Sequence, residues 1–187
     1  MLGKIGNFAL QNMSAFLLNR LSNSYNRNDM VGVIKVASYI ADRYLKDFGE
    51  RISEMKLHKL LYFTQRESLI RKGEPMFEEQ FLAWRYGPVM VQIRNAYADD
   101  KLNDMPSEEF LERYKDVFDF VFQNYAPKDA WSLSYLSHAE FSWKNARKDL
   151  LPEQNGNEPL KIEDIRKDAE RISMRRFLLD KIQQATL

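Results

Sequence analysis

Cysteine is absent from this chain of 187 residues, and histidine occurs only twice, at His58 and His138. Without cysteine there is no disulfide scaffold, no thiolate nucleophile and no cysteine zinc site, and the composition agrees with a reducing compartment. Two histidines so far apart in sequence also argue against a histidine-rich metal site. We therefore expect a cytoplasmic protein without a bound metal.

The chain also lacks long apolar runs and an excess of charge of either sign. It has 28 basic and 27 acidic residues, a net charge of +1, which argues against a general polyanion binder. No apolar run approaches the roughly 20 residues of a membrane-spanning helix, so we expect no membrane contact. Glycine is scarce, with seven residues, and this favours helices over a turn-rich sheet fold.

The familiar catalytic motifs are missing as well. The sequence contains no phosphate-binding Gly-x-x-x-x-Gly-Lys-Ser/Thr loop, no Gly-x-Gly-x-x-Gly fingerprint, no His-Glu-x-x-His and no Gly-x-Ser-x-Gly. These absences predict that the protein is not an enzyme, has no catalytic residues and needs no cofactor.

Apolar residues recur with helical spacing through most of the chain. A stripe from Val33 to Phe48 predicts one helix, and residues 55–72 predict a central helix, because apolar side chains surround much of it. We predict a mainly α, single domain of about seven helices, with at most one small β element near residues 77–86. Gly87 should form a sharp turn, and Pro88 should open the following helix.

Residues 1–28 form a separate N-terminal arm that contains Lys4, Arg20 and Arg27 but no acidic residue. We predict an amphipathic helix outside the main domain, which spans residues 29–187. The arm could pack on its own domain, serve as a mitochondrial transit peptide, or lie in a partner's groove. For the last alternative, the predicted contact residues are Phe16, Leu17 and Leu21.

Four short motifs follow one another in a fixed order. They are Lys-Leu-His-Lys-Leu-Leu-Tyr-Phe-Thr-Gln at 56–65, Gly-Glu-Pro-Met-Phe at 73–77, Ala-Trp-Arg-Tyr-Gly-Pro-Val at 83–89, and Leu-Ser-His at 136–138 before Trp143. In this combination the sequence resembles the Panacea domain family, which includes SocA-like antitoxins and GepA-type phage-associated proteins. The resemblance covers about residues 30–185 and does not extend to the arm.

The resemblance implies the antitoxin of a bacterial or phage toxin–antitoxin system, which neutralises a cognate protein toxin by direct binding. The SocA-like branch implies a further mode, in which the antitoxin delivers the toxin to the ClpXP protease. Two alternatives stay open: a DNA-binding regulator, acting for example at its own promoter, and a phage-associated interaction protein without a toxin partner. The resemblance does not name the toxin.

The motif residues divide into apolar and polar members. The apolar members, such as Leu60 and Leu61, are predicted to form the core. The polar members have no packing role evident from sequence and are the candidate partner-binding residues: Lys56, Lys59, Gln65, Arg85 and His138. Basic residues also cluster at 144–148 and 171–181, but interleaved acids make an ion-paired exposed face the alternative to phosphate binding.

Overall fold

The computed structural model describes residues 31–185, in which eight helices surround a two-stranded antiparallel ribbon. The predicted mainly α class, with one small β element, is confirmed. In chain order the elements are α1 (Val33–Phe48), α2 (Glu54–Arg71), β1 (Leu82–Trp84), β2 (Gly87–Val89), α3 (Val91–Ala98), α4 (Glu108–Arg113), α5 (Lys115–Asn124), α6 (Ala130–His138), α7 (Phe141–Ala146) and α8 (Ile162–Ala185).

Helix α2 is the centre of the fold, as predicted. The Ser53 hydroxyl caps it by accepting the Lys56 N–H, and its residues from Leu57 to Leu69 are buried on every side by α1, α5, α6, α8 and the ribbon. Because apolar side chains surround most of this helix, the sequence predicts that its basic residues share the remaining solvated strip. This is wrong for Lys59 and Arg66, which are 1% and 2% exposed. Both have hydrogen-bond acceptors inside the fold, and these acceptors come from segments distant in sequence.

The ribbon differs from the prediction at its second strand. Ala83 pairs with Pro88 and Trp84 with Gly87, so Pro88 lies in β2 and the predicted helix start there is wrong. Helix α3 begins only at Val91. A proline is tolerated in β2 because this strand has no further neighbour in the ribbon to which it must donate. Gly87 makes the sharp turn as predicted, with a φ of +106°.

Residues 152–159 begin and end with proline and contain Gly156, which predicts a linker; in the structure this segment lies along the free edge of β1. The Ala83 N–H donates to the Glu158 carbonyl, and the Ala83 carbonyl accepts the Gly156 N–H. Leu82 also forms an isolated bridge with Pro159. The segment therefore covers the backbone groups that β1 would otherwise expose.

Helix boundaries in the second half of the chain depend on caps that the prediction did not identify. The apolar spacing from Ser107 onward predicts a single helix, but the structure interrupts it at Tyr114, which separates α4 from α5. The sequence predicts Ser132 or Ser134 as the start of α6, but Asp129 caps this helix. The first N–H groups of α7 are bound by the Asp168 carboxylate, at 2.7 Å from Phe141 and 2.8 Å from Ser142.

Helix α8 has two different halves. Its first half packs on α2 and α7 and buries Ile165 and Ala169. Its second half has a set of apolar side chains that are half exposed: Met174, Phe177, Leu178, Leu179 and Ile182. None of the helices within residues 31–185 is both long and apolar enough to cross a membrane.

Candidate functional site

Three of the four sequence motifs meet at Lys59. Its ammonium is buried against the ribbon and donates to the Pro88 carbonyl at 3.1 Å. A Cβ added to Gly87 would lie 2.6 Å from both Lys59 Cε and Ser137 Oγ. The Lys-Leu-x-Lys, Gly-Pro and Leu-Ser-His motifs are therefore one contact region, and glycine is required where the lysine and serine approach the backbone.

Two buried bases lie in this region with low proton affinity. Burial lowers the pKa of Lys59 to about 7. Burial, together with the nearby cations Lys59 and Arg94, lowers the pKa of His58 to about 3, so its ring is neutral. His58 Nδ1 accepts the Met90 N–H at 3.4 Å and so helps to fix the entry into α3.

Helices α6 and α7 hold the ribbon from the other side. The Ser134 hydroxyl donates to the Tyr86 carbonyl at 2.8 Å, and the Trp143 indole N–H donates to the Trp84 carbonyl at 3.0 Å. His138 stacks on the Trp143 ring with centroids 4.0 Å apart. Burial lowers the pKa of His138 as well. These contacts give the ribbon turn a fixed position on the surface.

The turn and α6 together form an exposed aromatic surface. Trp131 and Tyr135 are 64% and 78% exposed, and they lie on successive turns of α6. Tyr86 meets the Trp131 ring edge to face at 5.5 Å, and the Arg85 guanidinium lies 5.0 Å from the Tyr86 ring. We call this set the ribbon–α6 surface: Arg85, Tyr86, Trp131, Tyr135 and Leu136.

Sequence reasoning found only Arg85 of this surface. Trp131 and Tyr135 carry no motif signal, and a short helix with apolar side chains on several faces does not reveal which face is buried. The residue that reveals the face is Leu133, which lies between them in sequence and is fully buried on the opposite face of the helix. Only the packing of α6 on α2 and β2 shows this.

Two predicted partner-binding residues have structural roles. Lys56 is half-buried and donates to the Tyr44 hydroxyl at 2.8 Å and the Ala126 carbonyl at 3.1 Å. Gln65 is buried, and its amide N–H donates to the Phe77 carbonyl at 2.8 Å. Both side chains therefore have a packing reason that the sequence did not reveal.

The other candidates lie in different surroundings. Arg85 is exposed at the ribbon turn, His138 is half-buried beneath it, and Lys59 is buried. Binding of a partner by any of these side chains stays a prediction. The arm residues Phe16, Leu17 and Leu21 lie outside the described residues.

A network of buried charges lies behind the site. The Arg66 guanidinium donates to the Glu140 carboxylate and the Tyr125 hydroxyl. The second Glu140 oxygen accepts Arg171 at 2.8 Å, and Arg171 also contacts Asp168 at 3.3 Å. This network joins α2 to α7 and α8. No group of three or more metal-ligating side chains occurs in the described part of the chain.

A known family model matches the region of the chain that forms the candidate site. Residues 57–144 match the family model described as "Antitoxin SocA-like, Panacea domain". This segment, just under half of the chain, is similar to the Panacea domain. The resemblance drawn from the four motifs is therefore confirmed. The matched segment runs from the second turn of α2 into α7, and so includes the ribbon and α6.

One curated relative matches a shorter stretch. Antitoxin SocA of Caulobacter vibrioides (strain NA1000 / CB15N) is 38% identical to this chain over 47 residues. The match covers 25% of this chain and 25% of the relative, so it spans about a quarter of that protein. No solved structure matches the chain.

Proposed function

We propose that this chain is the antitoxin of a bacterial or phage toxin–antitoxin system and neutralises a cognate protein toxin by binding it directly in the cytoplasm. The Panacea match and the likeness to antitoxin SocA support an antitoxin role. The structural observation that supports direct binding is the ribbon–α6 surface. Delivery of the bound toxin to ClpXP is a second proposed step, which requires the same complex.

The composition of the ribbon–α6 surface is that of a protein-binding hot spot. Tryptophan, tyrosine and arginine are the residues that most often dominate binding energy at interfaces, and all three occur here side by side. Their exposed rings offer a large apolar area that a partner can cover.

The surface is also rigid. The backbone of the ribbon turn is held from beneath by the Lys59–Pro88 and Ser134–Tyr86 hydrogen bonds. A partner therefore loses little binding energy in ordering the turn. The buried motif residues and the exposed aromatic residues thus have complementary roles: the first fix the surface, and the second make the contact.

Alanine at Trp131 or Tyr135 is expected to weaken toxin binding at least about tenfold, because each change removes a large exposed ring from the contact. The melting temperature should stay close to that of the wild type, since neither ring is buried. Leu151→Ala is the matched control, because Leu151 is an apolar residue of similar exposure, 63%, outside this surface.

The measurements are titration calorimetry with the purified toxin and rescue of growth on co-expression. Both variants should fail to rescue growth, whereas Leu151→Ala should rescue it fully. A Trp131→Ala/Tyr135→Ala double variant that binds the toxin as tightly as the wild type would remove the ribbon–α6 surface from the proposal.

We further propose that the arm contributes to toxin binding through Phe16, Leu17 and Leu21. Deletion of residues 1–24 should leave the thermal midpoint unchanged but weaken toxin affinity and abolish growth rescue. The excess positive charge of the arm should speed association with an acidic patch, so the association rate should fall as salt is added. Full-length protein with serine at Phe16, Leu17 and Leu21 tests the same contacts without truncation. A truncated chain that unfolds, or that rescues fully, would contradict this role.

A further inference from the structure

A cavity of about 550 Å³ opens between α2, the ribbon and α3. Its volume lies in the range of small-ligand sites. His58 and Lys59 line it from α2, Trp84 from β1 and Arg94 from α3, while Val89 contributes an apolar part of the wall. Tyr86 of the ribbon–α6 surface also lines the cavity, whereas Trp131 and Tyr135 do not, so alanine at Trp131 or Tyr135 leaves the cavity wall intact.

Two of the residues that line the cavity have a buried hydrogen-bond donor without a partner in the described part of the chain. His58 Nε2 and Trp84 Nε1 are both buried and have no hydrogen-bond partner among residues 31–185. Because His58 Nδ1 accepts a backbone N–H, the proton of the neutral ring lies on Nε2, and this atom is a donor. Lys59 Nζ has three protons when charged, and the Pro88 carbonyl is the one acceptor it contacts in the described chain.

A buried donor without an acceptor costs roughly 1–3 kcal/mol, so an acceptor bound in the cavity would offset this cost. The Lys59 ammonium has no carboxylate partner in the described part of the chain, and this agrees with its low pKa. The one acid on the wall, Glu54, lies 3.8 Å from Arg94 and 3.8 Å from His58 Nε2, which is too far for a hydrogen bond. Both observations indicate an anionic acceptor that comes from outside residues 31–185.

We propose that this cavity binds a carboxylate carried on an apolar body. The carboxylate oxygens would accept from Lys59 Nζ, His58 Nε2 and Trp84 Nε1, and the apolar body would lie against Val89 and Met55. Pairing the buried ammonium with a carboxylate removes the cost of an unpaired buried charge. Such a carboxylate is supplied either by a free small acid or by the C-terminus of a peptide that ends in an apolar residue.

The test titrates the full-length chain with phenylacetate and, separately, with the uncharged isostere phenylacetamide. Protein NMR monitors binding in both titrations. We expect phenylacetate to bind in the millimolar range or tighter and the amide to bind at least about tenfold more weakly. Acetyl-Gly-Gly-Phe with a free or an amidated C-terminus distinguishes the two sources. Tighter binding of the free peptide than of phenylacetate would identify a peptide C-terminus, and the reverse order would identify a small acid.

Lys59→Met should abolish carboxylate binding, because it removes the cation and keeps the length of the side chain. Lys56→Met is the matched control: it makes the same change three residues earlier on α2, and Lys56 does not line the cavity. Binding should be unchanged in this control.

Trp84→Phe provides a second test that does not change a charge. Loss of the unpaired indole N–H should raise the melting temperature of the free protein and, at the same time, weaken phenylacetate binding several-fold. Equal binding of the acid and the amide, unchanged binding in Lys59→Met, or no binding of either carboxylate would overturn the proposal. If Lys59→Met does not fold, the Trp84→Phe variant is the deciding test. Unchanged phenylacetate affinity in that variant would also overturn the proposal.

Discussion

Arg66→Met is expected to reduce the free energy of unfolding by about 3–5 kcal/mol. The guanidinium is buried and contacts the Glu140 carboxylate and the Tyr125 hydroxyl. Its removal leaves Glu140 buried, with Arg171, itself half-exposed, as its remaining cation. For a chain of this size the loss corresponds to a fall in melting temperature of about 6–20 °C.

The mechanism predicts a partial rescue. In Arg66→Met/Glu140→Leu the uncompensated carboxylate is removed too, so the double variant should be more stable than Arg66→Met alone. Arg51→Met is the control, since its ion pair with Asp100 is exposed and should contribute less than about 1 kcal/mol. Thermal unfolding followed by circular dichroism measures all of them. A melting temperature for Arg66→Met within about 2 °C of the wild type would contradict a structural role for the network.

Gly87→Val should be the most damaging change at the ribbon turn, with a cost of about 2–6 kcal/mol. The φ of +106° strains any residue with a Cβ, and this strain costs about 1–3 kcal/mol. The new Cβ would also meet Lys59 and Ser137, and overpacking of this kind costs a further 1–3 kcal/mol or so.

Gly49→Val separates the two effects. Gly49 has a φ of +73°, but a Cβ at this position meets no other atom within 4 Å. Only the backbone strain applies there, at about 1–2 kcal/mol. Urea unfolding of the two variants should therefore show a clearly larger loss at Gly87. Equal losses would mean that Lys59 and Ser137 move aside without cost.

The sequence predicted those features of the fold that depend on local patterns. Apolar spacing identified α1 and the central position of α2, and Gly49, a residue type that commonly ends helices, ends α1. The bend at Gly87 was also correct. The helix predicted to start at Pro88 was wrong, because pairing between β1 and β2 overrides the preference of proline for a helix start.

Features that depend on distant segments could not be predicted. Nothing in the sequence near Lys59 or Gln65 shows that their acceptors are carbonyls of Pro88 and Phe77. The same applies to the Asp168 carboxylate that caps α7. The sequence therefore predicted one part of the site. The motifs identified the buried residues that support the ribbon, whereas only the tertiary packing revealed the exposed aromatic side chains.

Neutralisation by direct binding requires a toxin that this chain captures in a stable complex. The most direct measurement expresses the protein encoded beside this gene, alone and together with the full-length chain, and then titrates the two purified proteins in a calorimeter. We predict that the neighbour arrests growth, that co-expression restores growth, and that the two form a complex with a dissociation constant of roughly micromolar or tighter. Neutralisation by direct binding would be contradicted if this chain did not relieve the growth arrest, if the neighbour were not toxic, or if no heat of binding were measured.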